Sequence, residues 1–393
     1  MCKKLKHLFK ILFFVIIYQN LAYSIDIDDG GVTTARQTFS ADNTTLTISN
    51  SSTLRNQLNN IIKINEKANG TVIIEAGSTA ETTVDKSNTI NGESSSNLTI
   101  TNSGTIISAR SKAINFTDVE TGSLTNNSSG IIKANTNTIS MLENTGTTDD
   151  ITINNYGTIF ATDDDDDGTN TIKSDDDSTN ITLNNFKGGH IYHNSENAVV
   201  VMGGSATLTN SGKIENKDGP TFNAITLSGS AGATLNLKDK GVVIGKINIT
   251  GSGHTIKVNH GVGQSYYYDT TGSGTYDLED LDGNVIVKGS AGSVGQGGNE
   301  ILDEQLGHKS INLRKSITKF KRSEQYLNQN DTWSEIFSSF ERRQGKRKTL
   351  RLKHDNLRAG ANMIQPGQNL NKLFSIETGR QEFSKDHNID RIS

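Results

Sequence analysis

The stretch LTITNSGTII, starting at Leu98, returns five times along the chain. The later copies are SLTNNSSGII from Ser123, ITINNYGTIF from Ile151, ITLNNFKGGHI from Ile181, ATLTNSGKIE from Ala206 and ATLNLKDKGVVI from Ala233. Each copy alternates apolar and polar residues, reaches an Asn and then a Gly, and resumes with a second short apolar run. Alternation with period 2 is the signature of a strand with one buried face. Asn and Gly tolerate the backbone angles of a sharp corner. A third, weaker apolar cluster closes each copy, as at Ala113–Phe116 and Ala198–Val201. Three short strands and three bends per repeat describe one coil of a solenoid, in which equivalent residues of successive coils stack at the ordinary interstrand spacing. The spacing therefore predicts an all-β chain built on a right-handed parallel β-helix.

Composition agrees with a narrow core. Only 32% of the 393 residues are hydrophobic, and there are 38 Gly against 2 Pro. A compact core of this length would need more apolar residues, whereas a solenoid buries a few per coil. Taking the corner glycines as 104, 130, 157, 188, 212 and 241 gives gaps of 26, 27, 31, 24 and 29 residues. The uneven gaps point to loop insertions. The recurrent corner Asn predicts a ladder of stacked amides, a structural role. Positions Leu98, Ile100, Leu124, Ile151, Ile153, Ile181, Leu183, Leu208 and Leu235 are expected inside. Leu46–Ile48 and Thr71–Ile74 read as earlier coils, and Leu54–Ile62 between them has helical spacing.

The ends have a different character. Lys3, Lys4, Lys6 and Lys10 lead into the apolar run Ile11–Ile17, and Leu21–Ser24 supplies small residues. That pattern predicts a secretory signal over 1–24, its apolar run too short for a spanning helix. The single cysteine, Cys2, precedes this run, so neither a disulfide framework nor a thiolate metal site is expected in the mature chain. Residues 25–302 hold 17 Lys and Arg against 32 Asp and Glu, while 303–393 hold 18 against 11. The acidic, Asn/Thr-rich middle excludes a nucleic-acid partner there, since phosphate binding needs clustered cations. Leu306, Leu313, Ile317 and Phe320 among Lys and Arg predict a basic amphipathic helix over about 305–328. Alternating segments follow at Trp333–Phe340, Asn356–Asn362 and Lys372–Gly379.

Signal, solenoid, helix and alternating tail together resemble the autotransporters of type V secretion in Gram-negative bacteria. The residues that carry the likeness are Trp333-Ser-Glu-Ile-Phe-Ser-Ser-Phe340 and Leu357-Arg-Ala-Gly-Ala-Asn362, similar to the first two strands of that family's translocator barrel. The resemblance implies a signal peptide (1–24), an N-terminal cap and first coils (25–95), a passenger solenoid (96–260), a Gly-rich passenger end (261–302), a linker helix (303–330) and a partial barrel (331–393). It implies an adhesin-like surface or secreted passenger. The outer membrane or its barrel-assembly machinery, and an extracellular glycan or cell-surface ligand, would be its partners. From Asp331 there are 63 residues. At about 10 residues per strand these make about four strands, against at least about 8 in single-chain barrels. The expectation is therefore export to the periplasm, with surface display only where further strands complete the barrel. Trp333, Phe337 and Phe340 are expected on an exposed sheet edge.

Chemistry-bearing motifs are sparse. Asp163–Asp167 and Asp175–Asp177 form acidic runs without the spaced ligands of a calcium loop, and read as solvated loops. His190 and His193, three apart on a strand, face opposite sides and are not expected to share a metal. No Gly-x-Ser-x-Gly elbow occurs. Outward repeat positions read as Thr, Asn and Ser, not the paired carboxylates of a glycosidase. No catalytic, cofactor or metal residue is assigned and no cofactor is expected. The rival reading is a β-helical polysaccharide lyase or hydrolase, and a third is a decayed autotransporter.

Overall fold

The computed structural model describes residues 22–57, 60–83, 87–141, 150–162, 169–174, 180–261, 264–287, 290–294, 296–323, 332–343, 352–365 and 372–385. Both predicted acidic runs lie outside these residues, as does most of the predicted signal.

The repeat folds into a parallel β-solenoid of three sheets with 11, 9 and 10 strands. Each copy contributes one strand to each. In the copy at Ile151 these are Asp150–Asn155 in sheet A, Thr158–Ala161 in sheet B and Ile172–Ser174 in sheet C. In sheet A, Ile100 aligns with Leu124, Ile153, Leu183, Leu208, Leu235 and Ile256 in turn. Sheet B stacks Ile106, Ile132, Ile159, Ile191 and Ile214. Sheet C stacks Ile90, Ile114, Ile139, Ile172, Val200, Ile225 and Ile247. All of these side chains are fully buried. Three columns, one per sheet, thus make a continuous core from a chain with little apolar content. The inward positions expected from the sequence are all buried.

The solenoid extends beyond the legible repeat. Its sheet A already begins at Tyr23–Ile27 and ends at Tyr276–Asp280. The helical spacing of Leu54–Ile62 is misleading: Thr53–Asn56 and Ile62–Lys63 are strands. Leu54 stacks on Ala80 and Ile62 on Ile90, so neighbouring coils override the local periodicity.

The corner between sheets A and B contains the amide ladder. Asn102 Nδ2 donates to Asn126 Oδ1 (2.8 Å), Asn126 to Asn155 (2.8 Å), Asn155 to Asn185 (2.9 Å) and Asn185 to Asn210 (2.8 Å). The ladder stops where the register meets Ile74 on one side and Leu237 on the other. Two residues after Asn102, Asn155 and Asn210, and four after Asn126 and Asn185, a glycine passes so close to the adjacent coil that no side chain fits. At Gly157 an added Cβ would collide with the carbonyl oxygens of Gly130 and Asn127. In the fourth copy this place belongs to Gly189, not Gly188. His190 aligns with Thr158, and Gly189 is the residue pressed against Asn155. Gly188 has φ +93° and open space around it, so Lys187-Gly188 is the inserted step.

A second compact unit holds helix α1, Gln296–Ser323, and an antiparallel sheet of Trp333–Arg343, Leu352–Gln365 and Lys372–Lys385. The helix starts nine residues before the predicted 305, running through Gly297 and Gly298 despite their low helix propensity. Ser316 of α1 is buried on the sheet, accepting a hydrogen bond from Asn362 Nδ2 at 2.9 Å and donating to Glu335. Phe320 meets Trp333 edge-on, centroids 6.2 Å apart. The opposite face presents Ile336, Met363 and Phe374, exposed by 87%, 46% and 54%. The strand of Trp333 and Phe337 does lie at an edge of the described sheet, but both side chains are half-buried on the face of Glu335, and the opposite face carries Ser334, Ile336, Ser338 and Phe374. Phe340 lies in the first strand, with a side chain outside the described set.

Candidate functional site

Outward positions divide by sheet. Sheet A presents Thr99, Thr101, Ser123, Thr125, Thr152, Asn154, Thr182 and Asn184, the polar rows read from the sequence. Sheet B does not. Its register aligns Arg55, Glu81, Ile107, Lys133, Phe160, Tyr192, Glu215 and Ile244 into one outward column. Beside it runs a second column containing Thr105, Ile131, Thr158, His190 and Lys213.

Two adjacent coils put rings at equivalent positions, and in-register strands about 4.8 Å apart hold such rings close to stacking distance. Phe160 and Tyr192 stack with centroids 4.6 Å apart and planes 12° from parallel. At the corner beside them Tyr156 and Phe186 stack at 4.3 Å and 2°. Six aromatic residues occur between 24 and 221. Phe39 and Phe116 are in the core, so the remaining four lie on this face or at the corner beside it.

Cations close both ends of the Phe160–Tyr192 stack. Lys133 Nζ lies 5.8 Å from the Phe160 centroid and Lys217 Nζ 4.0 Å from that of Tyr192. Each contact of this kind is worth about 0.5–1 kcal/mol when exposed. Glu215 Oε2 accepts from Lys213 Nζ at 2.8 Å and faces His190 Nε2 at 2.9 Å. Burial alone would raise the Glu215 carboxyl, but the hydrogen bonds and charges of Lys213 and His190 outweigh it and hold it below the usual range. Burial pulls the His190 imidazole down, more than its bond to Glu215 raises it. Burial, then the Glu215 charge, raises the Tyr192 phenol. Among the described residues, Lys133, Lys213 and Lys217 and the Glu215 carboxylate surround the ring stack.

His190 and His193 do point apart, as strand geometry requires. His190 is half-buried on the outward face, while His193 is fully buried, its Nδ1 accepting from the Ser195 amide at 3.0 Å. His254 is also internal, accepting from the Ala233 amide at 3.1 Å and donating to the Thr250 carbonyl at 2.8 Å. Among the described residues no group of three or more His, Cys, Asp or Glu is placed to hold a metal ion.

No family model matches this chain, and neither a curated protein nor a solved structure does.

Proposed function

We propose that the chain is a secreted or cell-surface passenger of the autotransporter kind, an adhesin-like binding protein without catalytic activity. One observation carries the reading: along the chain a parallel solenoid is followed by a helix and then by an antiparallel sheet with two unlike faces. The sheet's polar residues Glu335 and Asn362 meet Ser316 of α1, and its other face exposes Ile336, Met363 and Phe374 among small polar residues. A strand alternating this way suits a barrel wall with lipid on one side. The leader pattern of residues 1–24 supports export.

The sheet B face suits binding better than glycoside chemistry. Its two outward carboxylates in the central column, Glu81 and Glu215, are five strand steps apart, about 24 Å. Hydrolysis by a carboxyl pair needs a separation of about 5–9.5 Å, and an acid with a raised pKa; the Glu215 carboxyl is lowered instead.

Export is tested by fractionating Gram-negative cells that express the whole chain and sequencing the N-terminus of the recovered protein. The expected product lies outside the inner membrane and begins close to Ile25. Recovery from the cytoplasm with Met1 still attached would contradict the reading.

A further inference from the structure

We propose that the sheet B face around Phe160 and Tyr192 is a binding site for an acidic polysaccharide, one bearing carboxylate or sulfate groups. This rests on the surface-passenger reading and adds the site and the ligand chemistry.

The argument begins with what the rings leave accessible. Phe160 and Tyr192 cover one face of each other, and Lys133 and Lys217 lie over the outer faces. Ring edges remain. The edge of an aromatic ring is the positive part of its quadrupole, so edges and ammonium groups together favour an anion. The two lysines bracket the stack, and the Glu215 charge is already matched by Lys213. The surroundings sharpen the contrast, because residues 25–302 carry 17 basic against 32 acidic groups. A basic patch on an acidic body attracts anions to one place.

A polysaccharide fits better than a nucleic acid or a peptide. Single-stranded bases bind aromatic platforms by stacking on open ring faces, and these faces are covered. An extended peptide would add to a sheet edge, whereas this is the middle of a nine-stranded sheet whose backbone groups are paired. A flat, regularly spaced surface with Thr158, His190 and the Tyr192 hydroxyl beside the charges offers both donors and acceptors to a hydroxyl-rich chain.

The test uses the full chain, purified in detergent, passed over immobilised polygalacturonate, heparin, neutral dextran and duplex DNA. Retention is expected on polygalacturonate or heparin and not on dextran, whichever of the two acidic groups is preferred. It should disappear as salt rises from about 0.05 M to about 0.5 M, where screening shortens the reach of exposed charges. The double variant K133Q/K217Q should bind about tenfold more weakly, with only a small drop in melting temperature from the two lost ring contacts and an unchanged far-UV spectrum. The variant K67Q, whose charge lies in a different part of the solenoid, should bind like the parent. Unchanged retention of K133Q/K217Q, equal retention on dextran, or equal retention on DNA would each overturn the proposal. So would absence of retention on every matrix; correct N-terminal processing would then still support the surface-passenger reading, which separates the two failures.

Discussion

Replacing Ile153 by Asp is expected to unfold the middle of the solenoid. Ile153 is fully buried between Leu124 and Leu183 in the sheet A column. A carboxylate there has only aliphatic neighbours above and below. It must remain charged without a partner or take up a proton, and either costs several kcal/mol. Solenoid stability is built from coil interiors and nearest-neighbour interfaces, so one buried charge weakens the two interfaces it touches. Loss of much of the strand signal in far-UV circular dichroism, or a melting transition lowered by at least about 3 kcal/mol, is expected. Thr152→Asp, one residue away and outward, should stay within about 0.5 kcal/mol of the parent. If the Ile153→Asp variant melts like the parent, the inward assignment is wrong.

Asn155→Leu should cost nearly as much, for a different reason. Leu has the same number of side-chain heavy atoms as Asn, branched at the same carbon, so the shape is roughly kept while hydrogen bonding is lost. Asn155 sits mid-ladder, accepting from Asn126 and donating to Asn185. It also accepts from the Gly157 amide at 3.2 Å. The substitution leaves the Asn185 Oδ1 without its donor and removes the best acceptor of Asn126, inside a buried corner. Each such orphaned group costs about 1–3 kcal/mol. Asn154→Leu offers the comparison: Asn154 accepts from Asn184 at 3.0 Å, but on the half-exposed face where water can substitute. Denaturant melts should show a large loss for Asn155→Leu and little for Asn154→Leu. Equal stabilities would mean that the ladder adds nothing beyond shape.

The solenoid was legible because its signal repeats. Any one copy of LTITN is a weak strand signal, but six copies with the same corner leave few alternatives. The edges of the fold were less legible where the repeat decays. At Leu54–Ile62 the apolar spacing fits a helix, and only the stacking of Leu54 on Ala80 and Ile62 on Ile90 makes it a coil. The candidate site was hidden by a single residue. With Gly188 as the corner, Phe160 would align with Ile191. With Gly189 there, Phe160 meets Tyr192; Tyr156 and Phe186, each one residue after a ladder Asn, stack whichever glycine turns the corner. A one-residue slip exchanges the two faces of a strand, so the aromatic column vanished from the sequence reading. The signal was present in the crowding that only Gly189 tolerates, and that is a property of neighbouring coils. The sheet tail was legible as alternation. Which face is covered depends on helix α1, which its sequence pattern alone does not say.

Export and fold meet in one labelling experiment. Cys2 is the only cysteine and belongs to the expected leader, so a single introduced thiol reports its own site. Thr158 points outward from sheet B and Ile159 points into the core, fully buried. Cells expressing Thr158→Cys or Ile159→Cys are treated with a membrane-impermeant maleimide, with the outer membrane permeabilised and the inner membrane intact. The expected result is labelling of the Thr158→Cys chain, with Ile159→Cys labelled only after denaturation. Labelling of neither until the inner membrane is broken, or equal labelling of both in native cells, would contradict an exported β-solenoid.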